Sequence, residues 1–145
     1  MAETKRDGGT GVRCVITTPE STVLDTRAEF ISVPLFDGQR GIGRGHAPFV
    51  GRLGCGEVRI TGEQGNAAGG QRRTFIEGGF VEVGHDEVTI ITQRSIPAEK
   101  LDVAAARADL EKLKAAPSRG DEAIAARMRN EEAARALLRA AERKG

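Results

Sequence analysis

Residues 88–113 read VTIITQRSIPAEKLDVAAARADLEKL, and the alphabet of the chain changes inside that stretch, at Pro97. Before Pro97, residues 88–92 are a run of mostly β-branched side chains, which suits a pleated strand. After it, Asp102 is a good N-cap, and Val103, Ala106, Leu110 and Leu113 follow on one face of a helix. The contrast extends over the whole chain. Residues 1–97 hold all five Phe and 17 of the 19 Gly, whereas residues 98–145 hold 15 Ala, two Gly and no aromatic residue. An α+β chain is therefore expected, with a β domain at 1–97 and an α-helical domain at 98–145. Charge does not divide the two parts, with 11 basic against 12 acidic residues before the boundary and 11 against 9 after it.

Working outward into the β part, Val12, Cys14 and Ile16 alternate with Arg13, Val15 and Thr17, the period of a half-buried strand. Further strands are expected at 28–35, 56–61, 73–76, 80–83 and 88–92. Turn signals separate them at Thr18-Pro19-Glu20, Asp37-Gly38, residues 62–70, Gly78-Gly79 and Gly84-His85-Asp86. Short strands without crossover helices point to an antiparallel sandwich or barrel. In the α part, the first helix should stop by Ala116, because Pro117 disfavours helix in its predecessor and Gly120 completes the break. A second helix is expected from Asp121 to Lys144, about 36 Å at 1.5 Å per residue. So short a loop makes the pair an antiparallel hairpin. Its apolar stripe, Ile124, Met128, Leu137, Leu138 and Ala141, is thin, which implies weak docking.

Composition excludes several functions. With a formal net charge of +1, 3% aromatic residues and no Trp or Tyr, the chain has neither the basic excess nor the stacking side chains of a nucleic-acid binder. No apolar run reaches the roughly eighteen residues of a membrane helix, so no direct membrane insertion is expected. The polar start lacks a secretory or transit pattern, which suggests a cytoplasmic compartment. Cys14 and Cys55 are far apart and lie in or beside apolar segments, as buried reduced thiols do.

Candidate chemistry is sparse. Residues 38–48 superficially resemble a phosphate loop, but no Gly-Lys-Ser/Thr opens a helix, and Phe49-Val50 leads into another strand. Glycines that permit consecutive tight turns are the better account of this segment. His46 and His85 have neither a nucleophile elbow nor a metal-site spacing around them, so no catalytic residue and no metal ligand is expected. His85 suits an exposed hairpin tip, while His46 sits in a turn stiffened by Pro48 and its glycines, a setting suited to a contact. Along the last helix, Arg127, Glu131, Arg135, Arg139 and Arg143 recur every four residues, either a solvated face or a stripe for an acidic partner.

Taken in order, Val15-Ile16-Thr17-Thr18-Pro19-Glu20, Gly41-Ile42, Gly45-His46-Ala47-Pro48-Phe49, Gly56-Glu57-Val58-Arg59-Ile60, Ile76-Glu77-Gly78-Gly79-Phe80-Val81-Glu82-Val83 and Val88-Thr89-Ile90 resemble the ε subunits of the F-type ATP synthase, equivalent to the mitochondrial δ subunit. The resemblance implies a β-sandwich of about ten strands with a C-terminal helical hairpin. It also implies a non-catalytic central-stalk role, joining the γ subunit to the c-ring during ion-driven ATP synthesis on the cytoplasmic face of the bacterial inner membrane, with catalysis on the β subunits.

The residues aligned with the family's rotor-facing loop are Gln39, Arg40, Arg44 and His46. Gln39 replaces a common Glu, and Arg44 replaces a common Pro. The tail of this family can extend among α, β and γ subunits and block hydrolysis, with Arg127, Arg135, Arg139 and Arg143 as the candidate contacts here. A regulatory ATP signature in some relatives has Arg where this chain has Ala105. Arg107 would point about 200° away around the helix, so weak or no ATP binding and no cofactor are expected. The alternative is a freestanding ligand-binding β-sandwich with a helical dimerisation tail, though the narrow stripe lacks the sustained heptads of an obligate coiled coil.

Overall fold

The computed structural model describes residues 11–65, 70–116 and 119–144. Eight strands come first: β1 (Val12–Thr17), β2 (Thr22–Ala28), β3 (Phe30–Leu35), β4 (Gly38–Gly43), β5 (Phe49–Thr61), β6 (Arg72–Gly84), β7 (Glu87–Ile91) and β8 (Ser95–Pro97). A short 3₁₀ turn, Ala98–Lys100, leads to α1 (Val103–Ala115) and α2 (Asp121–Lys144). The strands form one hydrogen-bonded path, β2-β1-β7-β6-β5-β3-β4, with β8 added on β6. This path folds over a core of Val12, Cys14, Ile16, Ile31, Val33, Ile42, Val58, Ile60, Ile76, Val81, Val88 and Ile90, all nearly inaccessible.

The count of eight strands among the described residues replaces the expected ten, and the reason lies in β5 and β6. Each is 13 residues long. Gly78 and Gly79, expected to end a strand, instead sit inside β6 with φ of 64° and 106°. A β-carbon on Gly79 would lie 1.9 Å from the Ile91 carbonyl oxygen, so only glycine lets β6 pass this close to β7. Before the kink β6 pairs with β8, and after it with β7. Thus one strand serves both layers where two were expected.

The sheet is also mixed. β1 pairs with β7 in parallel, Cys14 opposite Val88 and Ile16 opposite Ile90, while every other pairing is antiparallel. Strands so distant in sequence are not joined by a hairpin, which leaves either direction open. The expected strand at 28–35 breaks at Glu29, whose amide donates to the Thr61 carbonyl at 3.1 Å. Residues 38–43 form β4 instead of consecutive turns. Gly41 pairs with Ser32 in this ladder, and only glycine fits there, because a β-carbon would lie 2.3 Å from Phe30 Cζ.

The helices follow the expected bounds, although Pro117 lies outside the described residues. Asp102 Oδ1 accepts from the amides of Ala104 at 2.9 Å and Ala105 at 3.4 Å, capping α1. The helices run antiparallel: Arg107 pairs with Glu142 at 3.6 Å, and Arg127 donates to the Lys114 carbonyl at the other end. The stripe on α2 differs from expectation. Met128 is 66% exposed and Ile124 is exposed as well, while Ala133, Ala134, Ala136, Ala140 and Ala141 are buried. Alanines let the helix backbone approach its neighbours closely, so small residues and Leu137 mark the contact, while Ile124 and Met128 stand outside it. Ala136, Ala140 and Ala141 pack with Phe75, Ala98 and Leu101, joined by Cys55, Ile96, Val103 and Leu137.

Candidate functional site

Strand alternation distributes the loop candidates to different faces. Arg40 shares its parity with buried Ile42, and its guanidinium carbon stands 5.1 Å from the centre of the Phe49 ring. The His46 ring packs against the same Phe49 ring, with centroids 5.4 Å apart. His46 Nδ1 lies 2.7 Å from the Ala47 carbonyl oxygen, to which it donates in the Nδ1–H tautomer. Gln39 has the opposite parity. It accepts from Ser32 Oγ at 2.9 Å and donates to the Glu57 carbonyl at 3.4 Å, so it is held across the sheet, apart from the Arg40, His46 and Phe49 cluster.

Asp86 organises the turn that carries Arg44 and His46. Its Oδ1 accepts from the Gly45 amide at 2.7 Å, and its Oδ2 lies 3.9 Å from Arg44 Nε. Its carbonyl accepts from the Arg13 amide at 2.9 Å. The β4–β5 turn, the β6–β7 hairpin and the start of β1 are therefore tied through one residue, the first by its carboxylate and the last by its carbonyl. Asp86 is a non-glycine residue at φ 51°, a conformation Asp tolerates in a tight turn. His85 is exposed beside it at the hairpin tip.

Next to this turn lies an apolar face the sequence reading did not single out. On the outer side of β5, β6 and β7, Arg52 stands opposite Phe80, and Phe80 opposite Ile91. Val50 is 73% exposed and Phe80 59%, and Phe36 and Ile91 are exposed with them. Arg52 covers the Phe36 ring, its guanidinium carbon 5.4 Å from the centroid. The signal was present: Phe80 alternates with core Val81 and Val83, so it shares the outward face with Glu82.

The arginines of α2 have several environments. Glu131 lies between Arg127 and Arg135, at 3.0 and 3.4 Å. Arg139 is exposed. Arg143 turns to the sheet, 3.8 Å from Glu57, which Arg73 holds at 2.6 Å. Between the hairpin and β6 a cleft of about 360 Å³ is lined by Glu77, Arg94, Asp109, Lys112, Asn130 and Leu137. A neighbouring hollow includes Asp102, Ala105 and Lys100. Arg107 is engaged with Glu142 on α2.

Burial pushes the Cys14 thiol up to about 12, with Asp25 and Glu63 adding to it. Burial also raises Cys55, followed by the charges of Glu77 and Glu132. Both thiols are poor nucleophiles at neutral pH. Among the described residues no group of three His, Cys, Asp or Glu is placed to hold a metal ion, and no helix is long and apolar enough to cross a membrane.

A small sandwich with an open apolar face, a stiffened basic turn and a helical hairpin laid on its flank defines a class, that of the interaction subunit. The ATP synthase Delta/Epsilon chain beta-sandwich domain matches residues 11–98. The chain is 45% identical over 91 residues to the ATP synthase epsilon chain of Rhodopirellula baltica, covering 63% of this chain and 67% of that one. To the ATP synthase epsilon chain of a Synechococcus strain it is 37% identical over 130 residues, covering 88% and 90%. Its fold is also that of a chain in the Euglena gracilis mitochondrial ATP synthase OSCP/F1/c-ring structure, with TM-score 0.77 at 21% identity over 97% of this chain and 88% of that one. A chain of the Tetrahymena thermophila mitochondrial ATP synthase central stalk and c-ring gives 0.66 at 17% identity, covering 92% and 99%. This chain belongs to the ATP synthase delta/epsilon family and is a non-catalytic subunit of that enzyme.

Proposed function

We propose that this chain is the central-stalk subunit that ties the γ subunit to the c-ring during ion-driven ATP synthesis, peripheral to the cytoplasmic face of a bacterial inner membrane. The observation that carries this reading is the family match across the sandwich, which spans both the apolar face and the basic turn. Val50, Phe80, Ile91 and Phe36 supply desolvation energy to a partner, and Arg40, Arg44 and His46 supply directional contacts at its edge. The family's known partners, γ and the c-ring, are assigned to these surfaces together. Gln39, held by Ser32 and the Glu57 carbonyl, contributes to the shape of the β3–β4 edge.

The hairpin is the regulatory part of the proposal. Its Ala-rich docking face suits an element only a few kcal/mol from its extended alternative. Extended, it would carry Arg127, Arg135, Arg139 and Arg143 to acidic surfaces of α and β and slow hydrolysis. Free ATP is not its ligand, since Ala105 stands at the signature arginine and Arg107 pairs with Glu142.

Assembled complexes carrying Arg40→Glu and Arg44→Glu should lose coupling between ion flow and synthesis, read as a falling ratio of ion pumping to hydrolysis. Full coupling in that variant would remove the loop from the rotor contact. Complexes lacking α2 should hydrolyse ATP faster, and an unchanged rate would end the inhibitory part. Calorimetric titration of the isolated chain with ATP should give no micromolar binding.

A further inference from the structure

The surface under α2 has an apolar middle and a charged end. On β5, Cys55, Glu57 and Arg59 point outward, and on β6 so do Arg73, Phe75 and Glu77, because Glu57 stands opposite Phe75 and Arg59 opposite Arg73. Phe75 lies under Ala136, Ala140 and Ala141. At the charged end, the Glu57 side chain is 1% exposed, and Arg73 grips its two oxygens at 2.6 and 3.0 Å. The third nitrogen of Arg73, Nη1, donates to the main-chain carbonyl of Arg143 at 3.2 Å. Arg143 Nε lies 3.8 Å from the same carboxylate and donates to the Arg139 carbonyl at 3.4 Å.

Two cations thus converge on one buried carboxylate, and one of them also satisfies a carbonyl at the negative end of the α2 dipole. The bidentate Glu57–Arg73 pair lies within the sheet and remains when the helix leaves. The Arg143 contacts and the capped carbonyl exist only while the hairpin is docked. They fasten α2 where the alanine stripe ends.

We propose that Glu57, Arg73 and Arg143 form a catch that holds the folded hairpin on the sandwich, and that its release controls how often α2 leaves the sheet. The inference rests on the reading that the hairpin moves in service, and gives that motion a trigger. Any partner that draws Arg143 onto its own carboxylates competes directly with Glu57. Docking on the sandwich and engagement of an acidic surface are then mutually exclusive uses of one arginine.

The chain carries its own reporters. Cys14 is inaccessible in the sandwich core, whereas Cys55 is half-buried at the docking surface. A soluble aromatic disulfide such as 5,5′-dithiobis(2-nitrobenzoate) reacts with thiolate, so Cys55 responds to undocking and Cys14 to unfolding. In the isolated full chain, Arg143→Gln should raise the Cys55 rate about three- to tenfold, as expected for one partly exposed charge-assisted contact. The Cys14 rate should not change. Arg143→Lys should fall between wild type and Arg143→Gln, and Glu57→Gln should match or exceed the latter. An unchanged Cys55 rate in Arg143→Gln overturns the catch, as does parallel acceleration of both cysteines in that variant. If removing α2 leaves hydrolysis by the assembled enzyme unchanged, the inhibitory role fails and the catch stands. If the Cys55 rate is unmoved, the catch fails and inhibition stands.

Discussion

The sandwich and the hairpin are packed with different materials. The sandwich core is Ile, Val and Leu, interdigitated between two layers and nearly inaccessible, while the hairpin presents alanines to one phenylalanine and its neighbours. Burying a large aliphatic side chain contributes about 1.5–3 kcal/mol, whereas an alanine contributes one methyl group, about 0.8 kcal/mol. The two parts are therefore expected to lie at different depths of stability, the hairpin leaving at a lower free energy than the sandwich unfolds. Low aromatic content belongs to the same division, since all five Phe lie before Pro97.

The severest way to break the comparison is to attack the sandwich where no side chain fits. Gly79→Val places a β-carbon 1.9 Å from the Ile91 carbonyl oxygen at a φ of 106°. The expected loss exceeds about 4 kcal/mol, within the range kept for strained or overpacked sites. Urea unfolding followed by circular dichroism should show the whole chain melting earlier, with Cys14 exposed. A variant as stable as wild type would show that β6 can move away from β7.

Ala140→Glu attacks the other region. Ala140 is fully buried in the docking cluster beneath the helix, so a longer, charged side chain there cannot be accommodated while the helix stays on the sheet. The helix should leave the sheet at an apparent cost of about 2–3 kcal/mol to docking. Limited proteolysis should then cut in the hairpin and leave residues 11–97 intact, with the sandwich melting within a few degrees of wild type. Loss of both parts together would mean that hairpin and sandwich are one cooperative unit.

Acid should distinguish them by charge. In the sandwich, Arg13 hydrogen-bonds both oxygens of Asp25 and holds its carboxyl below the usual 3.8. Arg72 does the same for Glu63 against a usual 4.5, helped by Thr26. The folded state then binds fewer protons than the unfolded chain near these values. The stability from both pairs is fully present above the unfolded pKa values, about 3.9 for Asp and 4.3 for Glu, and is lost as pH falls through the folded ones. Chemical unfolding measured from pH 6 to pH 3 should show a falling limb that Glu63→Gln flattens. An equally steep limb in that variant would place the acid sensitivity elsewhere.

How much of this was legible in the sequence follows from the range of the forces involved. The helices were legible to within a residue because an N-cap, an apolar spacing and a break are local, as Asp102 and Gly120 show. β1 was legible from alternation, and β7 from its run of β-branched side chains. β2 was missed, because Thr22, Asp25, Thr26 and Arg27 are polar and become a strand only by pairing with β1. Gly78-Gly79 and Gly41 were misread as turns because their cause, a carbonyl of β7 and the ring of Phe30, lies far away in sequence. Of the proposed contacts, Arg40 and His46 were placed together, and Gln39 was not. The Arg73–Arg143 bond joins residues 70 positions apart, beyond any periodicity.

The smallest effects test where the hairpin's contacts end. Asp102→Ala removes the acceptor for the Ala104 and Ala105 amides, and loss of such a cap costs about 1 kcal/mol. Amide exchange should speed up in the first turn of α1 and stay unchanged in β1 and β7. Met128→Gln should do less still, under about 0.5 kcal/mol, because its side chain stands outside the docking stripe. The two results belong together. If Met128→Gln destabilised docking as much as Asp102→Ala, the contact would extend beyond Leu137 and the alanines to Met128, and a thin alanine seam would no longer account for weak docking.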